Sequence, residues 1–277
     1  MQKAKGNMYQ WVTHTVNPLG GGMGPTKGGC LNDCLYCYMR RLHEKKAVVA
    51  SKYEGKPRIW EKEMKGWGKG KTIFVQNCSD LFANDVPDEI IMQILDHAKK
   101  FDNTYLFQSK NPARILDFLD FFPPKTILCT TLETNREVDG IWSKECPTPF
   151  VRGLAMYQIR QQRPDIRLSI TIEPIMDFDL EAMKSWVEDV KPEFMSIGAD
   201  SDLKCRDCGY GKGEHDSYIY RGKNTCPKCG SENITNLHGI PEPKNADKIK
   251  ELISAIKAYG VEVKIKDNLK RLCPELE

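Results

Sequence analysis

Gly28-Gly29-Cys30-Leu31-Asn32-Asp33-Cys34-Leu35-Tyr36-Cys37-Tyr38 places three cysteines at CxxxCxxC spacing. Three thiolates can hold three irons of a [4Fe-4S] cluster and leave the fourth without a protein ligand, whereas simple electron carriers use four thiolates. An open iron is a place for chemistry. A zinc site and unligated thiols are the other readings of this triplet, and clustered cysteines in a chain with no secretory signal favour ligation.

Outward from the triplet, the order is strand, cysteine loop, helix. A β-rich run, Tyr9 to Val16, precedes it, and a helical stretch from about Leu35 to Ala47 follows. Further strands are expected at Thr72–Asn77, Thr104–Gln108, Thr126–Thr131, Arg167–Ile172, Phe194–Ile197 and Val261–Lys266, alternating with amphipathic helices. One apolar stripe, Ile90, Ile91, Ile94, Leu95 and Ala98, stands behind Pro87, Asp88 and Glu89, residues suited to a first helical turn. A second, Leu180, Met183, Trp186, Val187 and Val190, stops before Pro192, and a third, Ile249, Leu252, Ile253 and Ile256, closes at Gly260. Alternation of this kind predicts an α/β fold with a parallel sheet.

Composition sets the context. The 277 residues fit one larger domain of α/β-barrel size, and a 40% hydrophobic content suffices for a substantial core. No signal peptide opens the chain and no apolar run approaches the roughly 20 residues that span a bilayer. Eleven cysteines without a secretory signal imply reduced thiols and metal sites, hence a cytoplasmic protein with no membrane partner. A net charge of +3 does not by itself imply nucleic acid. Glycines crowd the approach to the triplet at 20, 21, 22, 24, 28 and 29, yet no Gly-Lys-Ser/Thr follows, which excludes a phosphate-binding loop of the nucleoside-triphosphatase kind.

Barrels gather their reacting groups at the C-terminal ends of the strands. The expected strand ends here are polar throughout: Asn77, Cys78, Ser79 and Asp80; Gln108, Ser109 and Lys110; Thr131, Glu133, Asn135 and Arg136; Glu173; Asp200 and Ser201; Lys266, Asp267 and Asn268. Each type also caps helices or makes turns. Their recurrence marks Cys78, Asp80, Lys110, Glu173, Asp200 and Lys266 as candidate catalytic groups and Asn77, Gln108, Thr131 and Arg136 as candidate cofactor contacts.

CxxxCxxC with an aromatic residue before the third cysteine, here Tyr36, resembles the signature of the radical S-adenosylmethionine superfamily. The resemblance implies a partial (β/α)6 barrel, with the amino and carboxylate groups of S-adenosylmethionine on the open iron and Tyr36 against its adenine. It also implies reductive cleavage of the sulfonium to a 5'-deoxyadenosyl radical, and an electron donor such as flavodoxin or ferredoxin. The segments Asn77–Phe82, Phe107–Pro112, Leu132–Asn135, Ile172–Pro174 and Ile197–Ser201 look like the block series of a phage-encoded and prokaryotic branch of unassigned function. More distantly the arrangement is similar to spore photoproduct lyase, a DNA-repair member. The superfamily's Gly-Gly-Glu segment, which holds the cofactor's amino group, is replaced here by Asn77-Cys78-Ser79-Asp80, so Ser79 and Asp80 stand in as its acceptors. Glu133 is the matching candidate for the ribose hydroxyls, because a carboxylate can accept from both.

A second metal motif follows. Cys205-x-x-Cys208 and Cys226-x-x-Cys229 are separated by seventeen residues, the spacing of a four-thiolate structural zinc site; rubredoxin-like iron and a second iron-sulfur cluster are the alternatives. The expected organisation is a barrel over 1–202, a zinc-ribbon insert over 203–236, and a final helix and strand over 237–277. Between the knuckles His215, Tyr218, Tyr220, Arg221 and Lys223 mix aromatic and basic groups suited to stacking on bases and neutralising phosphates. Residues 39–71 carry an excess of seven positive charges interleaved with Tyr53, Trp60 and Trp67. The expected function is a radical enzyme acting on a nucleic acid or nucleoside-containing substrate. The alternatives are the same chemistry on a peptide or small metabolite, and a metal-bearing nucleic-acid-binding protein that forms no radical.

Overall fold

Runs of alternating and continuous apolar residues lay the strands side by side. The computed structural model describes residues 1–4, 9–22, 30–211 and 225–276. The chain divides into two compact units, residues 1–131 with 142–169 and residues 132–141 with 170–277.

The first unit opens with β1 (Gln2–Lys3) antiparallel to β2 (His14–Val16). A short antiparallel pair, β3 (Leu19–Gly20) and β4 (Arg58–Ile59), brackets the helices α1 (Tyr38–Lys45) and α2 (Ala47–Tyr53). Then come β5 (Thr72–Val75), α3 (Asp88–Lys99), β6 (Thr104–Gln108), α4 (Pro112–Ile115), β7 (Thr126–Thr131), α5 (Pro149–Gln162) and the first half of β8 (Arg167–Ile172). The strand order is β1-β2-β5-β6-β7-β8. β2, β5, β6 and β7 run parallel, with Thr15, Phe74, Leu106 and Ile127 in one row. Parallel strands joined through helices are buried on both faces, and every residue of β7 is buried. The stripe on α3 packs inward through Ile91, Ile94, Leu95 and Ala98.

The second unit takes the remainder of β8 and adds α6 (Leu180–Val190), β9 (Phe194–Ile197), β10 (Leu203–Cys205), β11 (Ile234–Asn236), α7 (Ala246–Ala258) and β12 (Glu262–Ile265). β9 lies beside β8 and parallel to β12, with Ser196 opposite Lys264. The stripes on α6 and α7 are buried at Met183, Val187 and Val190 and at Ile249, Leu252, Ile253 and Ile256. Lys191 ends α6 in the left-handed region ahead of Pro192, and Gly260 follows α7 at φ 76°. β10 and β11 pair antiparallel as a separate ribbon.

The result is the expected α/β class, a mostly parallel sheet of the partial-barrel kind. Several boundaries differ from expectation. β2 begins at His14, because residues 9–12 form a turn closed by the Val12 N–H on the Tyr9 carbonyl at 3.0 Å. β5 stops at Val75, because Gln76 turns into the left-handed region at φ 63° while its side-chain oxygen accepts from the Leu19 N–H at 2.9 Å. The expected helix from Leu35 to Ala47 is shorter, starting after Cys37, and Lys46 separates it from α2. α5 escapes a periodicity reading because Phe150, Val151 and Leu154 are exposed while Arg152 and Gly153 are buried. Among the described residues, no helix is long and apolar enough to cross a membrane.

Candidate active site and metal centres

The triplet lies in the first unit, on the loop that enters α1. Cys34 is buried, and Cys30 and Cys37 are partly exposed. The Asn32 N–H donates to the Cys30 sulfur and the Met39 N–H to the Cys37 sulfur, the pattern of thiolate ligands held by following amides. Cys37 is also the N-cap of α1, where the helix dipole favours negative charge. Desolvation, with the neighbouring Cys34, pushes the Cys37 thiol up to about 12, and desolvation with Cys34, Cys37 and Asp80 raises Cys30 as well. Burial disfavours ionisation of Cys30 and Cys37, and a metal cluster at this loop would offset that cost by holding them as thiolates. The donor set therefore fits a [4Fe-4S] cluster with one open iron.

Two braces fix the loop. Arg40 donates to the Cys34 carbonyl at 2.8 Å and pairs with Asp33 at 2.7 Å, which steadies Asp33 at φ 44°. Asp80 reaches across from the loop after β5 and is 6% exposed. Its Oδ2 accepts from Asn32 Nδ2 and the Lys110 N–H, both at 2.8 Å. Its Oδ1 accepts from Ser109 Oγ at 2.7 Å and the Phe82 N–H at 3.0 Å. A carboxylate has about four acceptor positions, and this chain fills them all. Asp80 ties the cysteine loop to the ends of β5 and β6.

The other candidates of this unit sit around that brace. Tyr36 accepts from Trp142 Nε1 at 3.3 Å, and the Lys110 ammonium lies 5.5 Å from its ring centre. Lys110 also acts electrostatically on Cys37. Ser79 Oγ accepts from Gln76 Nε2 at 2.5 Å. Gln108 donates to Thr131 Oγ1 at 3.0 Å and accepts from Tyr9 Oη at 2.9 Å. Asn77 exchanges hydrogen bonds with Tyr38: the Tyr38 hydroxyl donates to its carbonyl at 2.9 Å, and its Nδ2 donates back at 3.0 Å.

Cys78 has a nest of its own. Its N–H donates to Asn17 Oδ1 at 3.0 Å, and Tyr38 Oη lies 3.7 Å from its sulfur with Tyr53 as a second hydroxyl partner. Desolvation raises its pKa even though Tyr38, Tyr53 and the nearby Lys52 favour the thiolate. Burial thus works against ionisation of the Cys78 thiol.

The second unit carries the remaining candidates. Glu173 pairs with Lys266 at 2.5 Å, and Gly198 lies so close to both, and to Asn268, that a Cβ there would clash. Arg136 engages Asp177 and Asp179 on the surface, and Glu133 is fully buried. Asp200, 5% exposed, accepts from His238 Nδ1 at 2.7 Å, and the other ring nitrogen lies 3.8 Å from Asp202. Desolvation raises the Asp200 pKa, and His238 opposes that shift. His238 carries no motif in the linear sequence. The β10–β11 pairing brings it back beside residue 200, together with the Leu237 N–H on the Asp202 carbonyl at 2.7 Å.

All four ribbon cysteines converge, their sulfurs within 4.8 Å of one another. Cys205 and Cys229 are 3.7 Å apart, Cys208 and Cys226 3.6 Å. A tetrahedron of metal–sulfur bonds of about 2.3 Å has edges of about 3.8 Å. Gly209 and Gly230 turn at φ 71° and 73°, donating to the Cys205 and Cys226 carbonyls, as the knuckle spacing requires. This is a four-cysteine metal-binding group. His215, Tyr218, Tyr220, Arg221 and Lys223 lie outside the described residues.

The basic segment reads differently in three dimensions. Tyr53 and Trp67 are core residues, 2% and 0% exposed, so of the three interleaved aromatics only Trp60 keeps a partly open ring. Arg58 binds the carbonyls of Ser51, Lys52, Glu54 and Lys56 around the end of α2; Lys52 binds the Asn17 carbonyl, and Lys71 that of Trp67. Lys52, Arg58 and Lys71 thus cap backbone.

Residues 7–146 match the family described as protein of unknown function DUF5131, and the chain belongs to it. The fold is similar to that of solved spore photoproduct lyases. A cysteine-to-serine mutant of the lyase aligns over 96% of this chain and 79% of its own, with a TM-score of 0.56 and 10% identity. A lyase complexed with dinucleoside spore photoproduct aligns over 89% and 74%, with a TM-score of 0.53 and 12% identity.

Proposed function

We propose that this DUF5131 member is a radical S-adenosylmethionine enzyme whose [4Fe-4S] cluster is held by Cys30, Cys34 and Cys37. The observation that carries the reading is the triplet itself: three cysteines on one loop, Cys34 buried and the other two with amide donors on their sulfurs, the loop braced by Asp80 and Arg40. The likeness of the fold to spore photoproduct lyase supports it. When bound, the cluster and S-adenosylmethionine supply reductive cleavage of the sulfonium to a 5'-deoxyadenosyl radical.

The chain's own residues then divide by task. Asp80 and Arg40 position the cysteine loop. Tyr36, with the Lys110 ammonium over its ring, is the aromatic face for the adenine. Asn77, Ser79, Gln108 and Thr131 are the polar groups of the first unit assigned to the cofactor. Cys78, buried between two tyrosines, is suited to giving a hydrogen atom to a carbon radical rather than to acting as a nucleophile, which would need the thiolate. Glu173, Lys266 and Asp200 are polar groups at strand ends of the second unit, assigned to substrate. A nucleic acid or nucleoside-containing molecule is the substrate class, supported by the four-cysteine ribbon, which we read as zinc, and by the dinucleoside seen in a structurally similar lyase. A small flavodoxin- or ferredoxin-like protein supplies the electron.

The test is anaerobic reconstitution. Dithionite-reduced, cluster-loaded protein should convert S-adenosylmethionine to 5'-deoxyadenosine and methionine. A fully loaded cluster that gives neither product, and whose electron paramagnetic resonance spectrum ignores S-adenosylmethionine, would sink the proposal.

A further inference from the structure

A cavity of about 520 Å3 in the second unit is used by none of the candidates above. Arg206, Glu232 and Thr235 of the metal ribbon wall one side, and Glu242, Lys244 and Arg271 wall the other. The volume suits a small organic ligand, for which pockets run from about 300 to 1,000 Å3.

Its charges do not cancel. Arg271 grips both oxygens of Glu242 in a fork, with Nη1 to Oε2 at 3.1 Å and Nη2 to Oε1; the side chains are 13% and 12% exposed, and the pair is neutral as a unit. Among the described residues, the Arg206 side chain makes one long hydrogen bond, to Thr235 Oγ1 at 3.3 Å. Among the described residues, neither Arg206 nor Lys244 has a carboxylate at ion-pair distance, and both are exposed. Against them stands Glu232, which leaves the wall one positive charge in excess.

We propose that this cavity binds a phosphate group, either of a free nucleotide or of a phosphodiester strand. One surplus charge matches one phosphodiester. The guanidinium of Arg206 supplies the planar donors that phosphate geometry favours, and Lys244 adds a point charge. Ile234 and Leu272 give the same cavity apolar wall for a sugar or base. The proposal deepens the nucleic-acid reading of substrate but stands on the cavity, and no step of radical chemistry enters it.

The experiment is a fluorescence-anisotropy titration of the fully metal-loaded protein with a labelled single-stranded oligonucleotide, with competition by a mononucleotide, inorganic phosphate and an unphosphorylated nucleoside. R206E and K244E should each weaken binding at least tenfold at low salt and lower the slope of log affinity against log salt by about one. Ribbon zinc and the thermal midpoint verify that the variants are folded. Competition by mononucleotide and inorganic phosphate alike assigns the site to phosphate itself, and competition by mononucleotide alone shows that sugar or base is also held. Unchanged affinity in both folded variants, or a nucleoside competing as well as its nucleotide, overturns the proposal. Cleavage of S-adenosylmethionine without substrate, measured on the same variants, keeps the two readings apart. Its absence tells against the radical enzyme, and loss of oligonucleotide binding with cleavage intact supports the cavity.

Discussion

Asp80 shows how a single side chain can brace a cysteine loop from outside it. Its four donors come from the cysteine loop, from the end of β6 and from its own turn, so truncation leaves several buried polar groups unpaired at once. D80A should lose about 3 kcal/mol in chemical denaturation and load less than half the wild-type iron under identical reconstitution. D80N, which keeps the shape and the carbonyl acceptor, should lie between the two. The same scale separates the aromatics of the basic segment. Trp67 is fully buried against His97, Phe101 and Tyr105, and its Nε1 donates to the Glu63 carbonyl at 2.8 Å. W67A should cost about 3–5 kcal/mol, and W60A, at a partly open ring, far less; equal losses by thermal or urea unfolding would contradict the assignment. Charge and aromatic counts could not distinguish these residues in the sequence, because burial of Tyr53 and Trp67 depends on strands and helices far along the chain. Metal-ligand spacing, by contrast, is local, and the four-cysteine group was legible from it.

Within elements, the ribbon stem depends on a contact that sequence spacing does not reveal. Asp200 ends the β9 side of the stem and His238 the β11 side, and their 2.7 Å contact closes the two together. Asp200 is buried and its pKa is raised, so by itself the carboxyl adds most to stability at low pH, and its contribution is lost as pH rises through the folded pKa. His238 offsets that loss by pairing with the ionised form. H238A should therefore be more destabilised relative to wild type at pH 7.5 than at pH 4.5, measured as the difference in thermal midpoint at each pH. A difference that stays constant, or grows toward acid, would show that the imidazole acts through packing alone. The stripes of α3, α6 and α7 were readable because each presents one apolar face to a core. α5 was not, since its exposed Phe150 and Leu154 and its buried Arg152 invert the usual pattern. Arg152 is accommodated by donating to the Pro147 and Thr131 carbonyls and by lying over Trp142, contacts that only the folded chain supplies.

At the scale of the whole molecule, the two cysteine sites are built from separate units. Cys30, Cys34 and Cys37, with the Asp80 and Arg40 braces, fall within residues 1–131 of the first unit. Cys205, Cys208, Cys226 and Cys229, with the β10–β11 stem, fall within the second. The braces that hold each ligand set come from its own unit, so binding energy released at one centre acts first on the segment around it. Metal binding is folding energy for the segment that supplies the ligands, and each loss should stay with its own segment. C34A should abolish the visible charge-transfer absorbance of the cluster and leave one equivalent of zinc. C226S should release the zinc and raise hydrogen exchange at residues 203–205 and 234–236, while iron content and absorbance remain. Elemental analysis with exchange mass spectrometry reads both variants. Loss of iron in C226S, or of zinc in C34A, would mean that the centres are coupled through contacts other than those that build each one.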